Sequence, residues 1–232
     1  MASDTSFGVV RQFEDFLLTV VADAPEIDIL AVTDTGSTEI RANAADGRIE
    51  VSTGTSDDDD QAAVGFNLNW TAGAAPLKME ARIILSALTD NKYFVGFGDS
   101  LPSTDESMFD ATTDAVTIGT QSDGIGILFD NDATTNNLWC VAAATDVVTV
   151  SQSLSSKYNP VAEVPITLGC SLSTDRKSAA FYVNGEEVYR IDSATVLVAA
   201  VDLCPQVVNY EQGTALDIDV DYLFASKGRA SA

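Results

Sequence analysis

The sequence predicts an all-β protein folded as one two-sheet antiparallel sandwich of jelly-roll type. Three observations carry that expectation. Roughly a dozen short β-prone segments are separated by turn signals, helical periodicity is nearly absent, and 46% of the 232 residues are hydrophobic, enough for a sizeable core. No internal repeat and no Pro-rich or Ser/Gly-rich linker divides the chain. The expected organisation is a flexible arm over 1–12, a single sandwich domain over 13–226 and a short tail over 227–232.

In chain order, Met1 to Ser6 is small, polar and patternless, as a loose arm would be. From Val9 to Val21 (VVRQFEDFLLTVV) the helix and strand templates compete. The β-branched and aromatic content and the stop at Pro25 favour a strand. Ile27 to Val32 and Arg48 to Ser52 are further strands, with Asp46-Gly47 as turn chemistry before the second. Thr53 to Gln61 (TGTSDDDDQ) is a polar loop. Its adjacent aspartates, Asp57 to Asp60, lack the alternate-position spacing of a calcium loop, so a solvated loop and no metal are expected.

Phe66 to Trp70 and Leu77 to Ala87 return to strand pattern. The second is the cleanest alternation in the chain, with Leu77, Met79, Ala81, Ile83 and Leu85 on one side and Lys78, Glu80, Arg82 and Ser86 on the other. In Tyr93 to Gly98 (YFVGFG) the glycines mark a bulge or the close approach of another backbone. A polar excursion, Asp99 to Thr113, follows. Ile125 to Phe129, Leu138 to Ala144 and Val147 to Val150 are the middle strands, and Ile166 to Ser173 alternates again.

The most legible element is Lys177 to Ile191, where Asn184-Gly185 joins two β-prone runs. That pair suits a two-residue type I′ turn, in which both central residues need φ > 0. The turn sets Phe181 opposite Val188 and Tyr182 opposite Glu187. A bulge after Gly185 would bring Tyr189 and Ile191 to the face of Phe181. Gln206 to Tyr210 and Ala215 to Ala225 close the sheet. In the latter Asp217, Asp219 and Asp221 share one face and Leu216, Ile218, Val220 and Tyr222 the other. With no facing acid or base, that acidic row reads as a solvated outer face rather than a catalytic cleft.

A net charge of −23, from 35 acidic against 12 basic residues, argues against nucleic acid or an anionic membrane as partner. Histidine is absent, which removes the commonest general base, the Ser-His-Asp triad and most zinc sites, so an enzyme here would have to run on carboxylates. No catalytic residue and no cofactor is expected. Cys140, Cys170 and Cys204 lack metal or redox spacing and read as buried free thiols, as in a reducing cytosol. The longest apolar runs are too short to span a bilayer and have no signal-peptide flanks, so a soluble chain not exported by the general secretory route is expected.

Several segments, in order, resemble a concanavalin A-like (laminin G-like) jelly roll found in structural proteins of tailed-phage virions. They are FEDFLL at Phe13, DGRIEVSTGTSDDDD at Asp46, LKMEARIILSAL at Leu77, YFVGFGDS at Tyr93, DGIGILFDND at Asp123, FYVNGEEV at Phe181 and IDVDYLFAS at Ile218. The Glu-x-Asp-x-x-Glu strand of the related retaining glucanases does not occur. The resemblance implies a virion structural protein: a decoration (cement) protein made in the host cytoplasm, placed on the outer capsid surface, bound to the major capsid protein and homo-oligomeric as a dimer or trimer. The alternative is a carbohydrate-binding module on a head or tail fibre, with Trp70, Trp139, Tyr93 and Tyr158 as stacking faces. A carboxylate-only hydrolase is the third reading. Because a body this acidic needs an apolar or basic patch to grip an acidic shell, the expected contact residues are Phe7, Val9, Val10 and Arg11, in an arm that orders on binding.

Overall fold

The computed structural model of the chain describes residues 3–6, 9–16, 29–33, 37–40, 47–53, 61–67, 70–74, 76–100, 108–112, 115–119, 122–192, 195–198, 200–214 and 216–228. The strands among them are β1 (Ser3–Ser6), β2 (Val9–Glu14), β3 (Ile29–Thr33), β4 (Ser37–Ile40), β5 (Ile49–Ser52), β6 (Gln61–Phe66), β7 (Trp70–Thr71), β8 (Leu77–Leu85), β9 (Asn91–Gly98) and β10 (Phe109–Thr112). The second half contributes β11 (Ala115–Ile118), β12 (Gly124–Asp130), β13 (Leu138–Ala144), β14 (Val147–Ser153), β15 (Ile166–Leu172), β16 (Ser178–Val183), β17 (Glu186–Asp192), β18 (Asp202–Glu211) and β19 (Asp217–Gly228). Every pairing is antiparallel, in two large sheets and one separate hairpin.

The nine-stranded sheet runs β1-β2-β19-β8-β15-β16-β17, and β5, with β4 outside it, pairs the first half of β19 on the side where β2 pairs the second half. The eight-stranded sheet runs β14-β13-β12-β9-β18-β6-β3, with β7 beside β18. Strands β10 and β11 form the hairpin on their own. The strand pattern built from alternation thus closes into the expected two-layer all-β sandwich.

The nine-stranded sheet has one wet face. In β8, Leu77, Met79, Ala81, Ile83 and Leu85 are buried in the core between the sheets, whereas Lys78, Glu80 and Arg82 point out. The middle strands of the eight-stranded sheet, β6, β9, β12, β13 and β18, are buried on both faces. Tyr93, Val95, Phe97, Ile125, Ile127 and Cys140 join the core between the sheets. Phe94, Leu128, Trp139, Val141 and Tyr210, which alternate with them, form a second apolar cluster with Met108, Phe109, Ala111 and Val116 of the β10–β11 segment. That hairpin covers the outside of the eight-stranded sheet, which is why β9 and β12 are buried at every position.

The glycines of YFVGFG and DGIGILF explain how the hairpin fits. Gly96 lies opposite Gly126 across β9 and β12. A Cβ on Gly126 would stand 2.4 Å from the Val95 carbonyl oxygen and 2.7 Å from the Phe94 ring, so Phe94 lies over the space both glycines leave. Its ring meets that of Phe109 at a centroid distance of 5.6 Å. Beside this contact a polar knot ties the hairpin down. Buried Asp130 accepts from the Ala111 amide at 2.8 Å, the Asp132 amide at 3.0 Å and the Gln212 side chain at 2.8 Å. Lys92 reaches both Asp110 and Asp130, and Tyr210 accepts from the Met108 amide at 3.2 Å.

Several expected details change. The excursion from Asp99 contains the strand β10. The strand expected at Phe66 to Trp70 instead ends at Phe66, having begun at Gln61. Val9 to Gln12, expected within the flexible arm, are paired in register with β19, which itself extends to Gly228, beyond the boundary drawn at residue 226. The acidic row of the last strand is broken because the register shifts between Val220 and Tyr222. Asp221 is buried against the half-exposed Arg82, with which it pairs, and Tyr222 comes to the outer face. Asp57 to Asp60, Phe7 and the stretch from Leu17 to Val21 lie outside the described residues.

In the hairpin, Asn184 (φ 50) and Gly185 (φ 77) both take the left-handed conformation that a type I′ turn requires. Tyr182 faces Glu187 as expected. The bulge falls at Val188, so Phe181 faces Tyr189, ring centroids 6.0 Å apart, rather than Val188. No atom lies within 4 Å of a Cβ built on Gly185, so substitution there costs only conformational strain. Gly185→Val is expected to destabilise by about 1–3 kcal/mol. An unchanged thermal midpoint would show that the turn tolerates a β-branched residue.

The three cysteines are buried and unpaired. Burial pushes the Cys204 thiol up to about 12, and Cys140 and Cys170 higher still.

Candidate functional site

With one sheet closed under its hairpin, the broad open surface is the outer face of the nine-stranded sheet. Strand register places its side chains in rows. Arg11 of β2, Ser226 of β19, Lys78 of β8, Ser171 of β15, Ala180 of β16 and Arg190 of β17 lie across from one another in sequence. The next row reads Phe13, Phe224, Glu80, Gly169, Tyr182 and Glu187. One row therefore has three cations and no acid, and its neighbour is aromatic with two carboxylates.

Most charges on this face are already engaged. Arg190 binds Glu187, with a nitrogen–oxygen distance of 2.8 Å, and Tyr222 donates to Glu80 at 2.5 Å. Burial, followed by that hydrogen bond, pushes the Tyr222 phenol up to about 12. Arg82 lies over the Tyr222 ring, 5.9 Å from its centroid, while bridging to Asp221. Arg48 pairs with Asp219 at 3.7 Å. Among the described residues no carboxylate pairs with Arg11 or Lys78, and these two cations, on either side of Ser226, are the face's uncommitted positive charge.

Two grooves meet at Lys78 and Phe224. One, of about 440 Å³, is lined by Val9, Arg11, Pro76, Lys78, Phe224, Ser226 and Lys227. Lys227 rises beside Trp70, its ammonium 5.3 Å from the ring centroid, and burial lowers its pKa. The other groove, of about 290 Å³, has Gly169 as floor and Lys78, Glu80, Ser171, Tyr182 and Phe224 as walls. A Cβ on Gly169 would lie 2.8 Å from the Met79 carbonyl oxygen, so the floor can hold only glycine without backbone movement. Phe13, 52% exposed, stacks at a tilt on Tyr222 and extends the apolar rim.

Of the expected contact residues, Val9 and Arg11 line the larger groove. Val10 lies on the opposite side of β2, across from Lys227, and Phe7 is outside the described residues. Val9, Val10 and Arg11 stand on a sheet strand, not on a free arm. Deleting Met1 to Val10 would therefore remove sheet pairing as well as contact residues, and point substitutions are the cleaner probe. Phe13, Lys78 and Phe224 were missed as site residues. Phe13 and Lys78 carry a local signal, each falling on the polar side of an alternating strand, but only strand register joins them to Phe224. Three of the aromatics considered for glycan stacking are unavailable: Trp70, Trp139 and Tyr93 are buried, the last stacked on Phe129. Tyr158 is half-buried beneath Lys157, with its hydroxyl on Glu186.

No protein-family model and no curated protein matches the chain. Among solved structures, a protein of unknown function from Shewanella oneidensis MR-1 is similar over 100% of this chain and 92% of its own, at 14% identity and a TM-score of 0.65. Peanut lectin is similar over 97% of this chain and 99% of its own, at 10% identity and a TM-score of 0.59. The fold is concanavalin A-like. A third structure of this form, a carbohydrate esterase from the Shiga toxin-encoding bacteriophage phi24B, covers 85% of this chain and 90% of its own at 15% identity, with a TM-score of 0.52. At such identities the likeness is one of architecture, and function has to be argued from the open face.

Proposed function

We propose that the chain is a non-catalytic virion structural protein, a decoration protein that grips the major-capsid lattice through the outer face of its nine-stranded sheet. The observation that carries this reading is the uncommitted pair Arg11 and Lys78, set in an apolar rim of Val9, Phe13 and Phe224 on a body of net charge −23. Such a body is repelled by an acidic shell everywhere except at a patch of this kind, so the patch fixes both where contact occurs and its orientation. A rigid sandwich docked across a joint between shell subunits adds buried area there and resists outward pressure. The carboxylates nearest the face support a binding role over hydrolysis, since Glu80, Asp219 and Asp221 are each engaged by Tyr222, Arg48 and Arg82.

Reversing both charges, Arg11→Glu with Lys78→Glu, is expected to weaken co-sedimentation with purified shells by about tenfold or more while leaving the thermal midpoint nearly unchanged, as surface substitutions usually do. Full binding by the doubly reversed protein would sink the proposal.

One observation favours a second reading at the same face. The Gly169 groove combines the aromatic sides of Tyr182 and Phe224 with Lys78, Glu80 and Ser171, a mixture suited to a sugar ring. A glycan array separates the two: saturable binding to one glycan class, lost in Tyr182→Ala, would favour a carbohydrate-binding module.

A further inference from the structure

We propose that the flank formed by β14 and residues 195–198 is the contact between two copies of this chain. β14 is the last strand of the eight-stranded sheet, and among the described residues it is hydrogen-bonded as a strand only to β13. Exposed edges are normally guarded by charge. The edge of the other sheet follows that rule, for β17 carries Glu186, Glu187, Arg190 and Asp192 within its seven residues. β14, reading VVTVSQS, has no ionisable group. The opposite edge of its own sheet, β3, is shorter and lies in sequence between Asp28 and Asp34.

A second uncharged segment lies against the same edge. The Thr149 hydroxyl donates to the Val196 carbonyl at 3.0 Å, which brings 195–198 (TVLV) alongside β14. Val147 is 62% and Val198 39% exposed, two of the five large apolar side chains exposed among the described residues. An unguarded edge and an apolar rim therefore coincide.

Charge decides the occupant. A foreign partner can answer −23 with positive charge, but a second copy brings another −23 and can approach closely only where neither surface is ionised. Antiparallel pairing of one strand with itself about a two-fold axis makes such a contact self-complementary. The register of β14 shifts between the partners of Ala142 and Ala143, leaving Thr149 as a bulge and Val150 to Ser153 as the regular run. The axis then falls between Ser151 and Gln152 and sets Val150 of one copy opposite Ser153 of the other, with Val147 and Val198 packing at the rim. This contact is independent of the shell-binding face, which belongs to the other sheet.

The test is sedimentation velocity of the full chain at micromolar concentration. The wild type is expected as a species of twice the 24.5 kDa chain mass, tightening as salt screens the mutual repulsion. Ser151→Lys sets two like charges beside the axis and is expected to raise the dissociation constant by about 100-fold. Val147→Glu should act in the same direction, and Asp217→Lys, on β19 in the other half of the nine-stranded sheet, should leave the dimer intact. Unchanged thermal midpoints for these variants would separate loss of contact from loss of fold. A wild type that stays at 24.5 kDa at every salt concentration overturns the proposal, as does a dimer that survives both Ser151→Lys and Val147→Glu.

Discussion

Gly126→Ala is expected to be among the most damaging single-methyl additions this chain can suffer. The added carbon would sit 2.4 Å from the Val95 carbonyl oxygen, 2.7 Å from the Gly96 Cα and 2.7 Å from the Phe94 ring. The first two are backbone atoms of a paired strand, so relief requires β9 and β12 to separate, and relief of the third moves the ring on which Phe109 rests. Overpacking in a rigid interior costs about 1–3 kcal/mol and more where backbone must shift. We expect the upper end, a fall in the thermal midpoint of about 6–12 °C for a chain of this size. Adding Phe94→Leu should recover only part of the loss, because the carbonyl contact remains. A Gly126→Ala protein that melts with the wild type would mean that the two strands are not in the register described.

Asp130→Ala is expected to have a comparable effect by a different route. The Asp130 carboxylate is almost wholly buried and accepts from two amides and a side-chain amide, with the Lys92 ammonium 3.9 Å away. Truncation leaves those donors without their acceptor and Lys92, itself buried, with half of its countercharge. Removing one partner from such a group costs about 3–5 kcal/mol. The damage should begin at the hairpin, since the Ala111 amide belongs to β10. Amide exchange over 108–118 should quicken before that of the rest of the sheet, and a dye that reports exposed apolar surface should bind. Uniform acceleration across the whole sandwich would show instead that the hairpin has no separate anchorage.

How much of this could be read from the sequence depends on how many faces a strand buries. β8 and β15 were plain because one side is wet, so apolar and polar letters alternate. β9 and β12 showed an unbroken apolar run instead, which says strand but not what covers each side. The cover itself was missed because Asp110, Thr112, Thr113 and Asp114 make its stretch look like a loop. Yet Phe109, Ala111 and Val116 are the side chains it buries. The turn at Asn184-Gly185 was legible because it is local chemistry, whereas the bulge at Asp221 was not, being set by Arg82 from a strand more than a hundred residues earlier. The site divides in the same way. Arg11 stood out as a cation among apolar residues, but its place beside Lys78 follows from strand pairing, which no single segment encodes.

The double burial of the middle strands of the eight-stranded sheet also governs how the chain can vary. At a position with one dry and one wet side, half of the letters are free to change without disturbing the core. β9 and β12 offer no such letters, so almost any replacement there is felt as a packing error. Divergence among descendants of this fold is thereby channelled into every second residue of β2, β8, β15, β16 and β19, the residues that form the open face. A new binding preference can accumulate on that face while the strands beneath it remain nearly fixed.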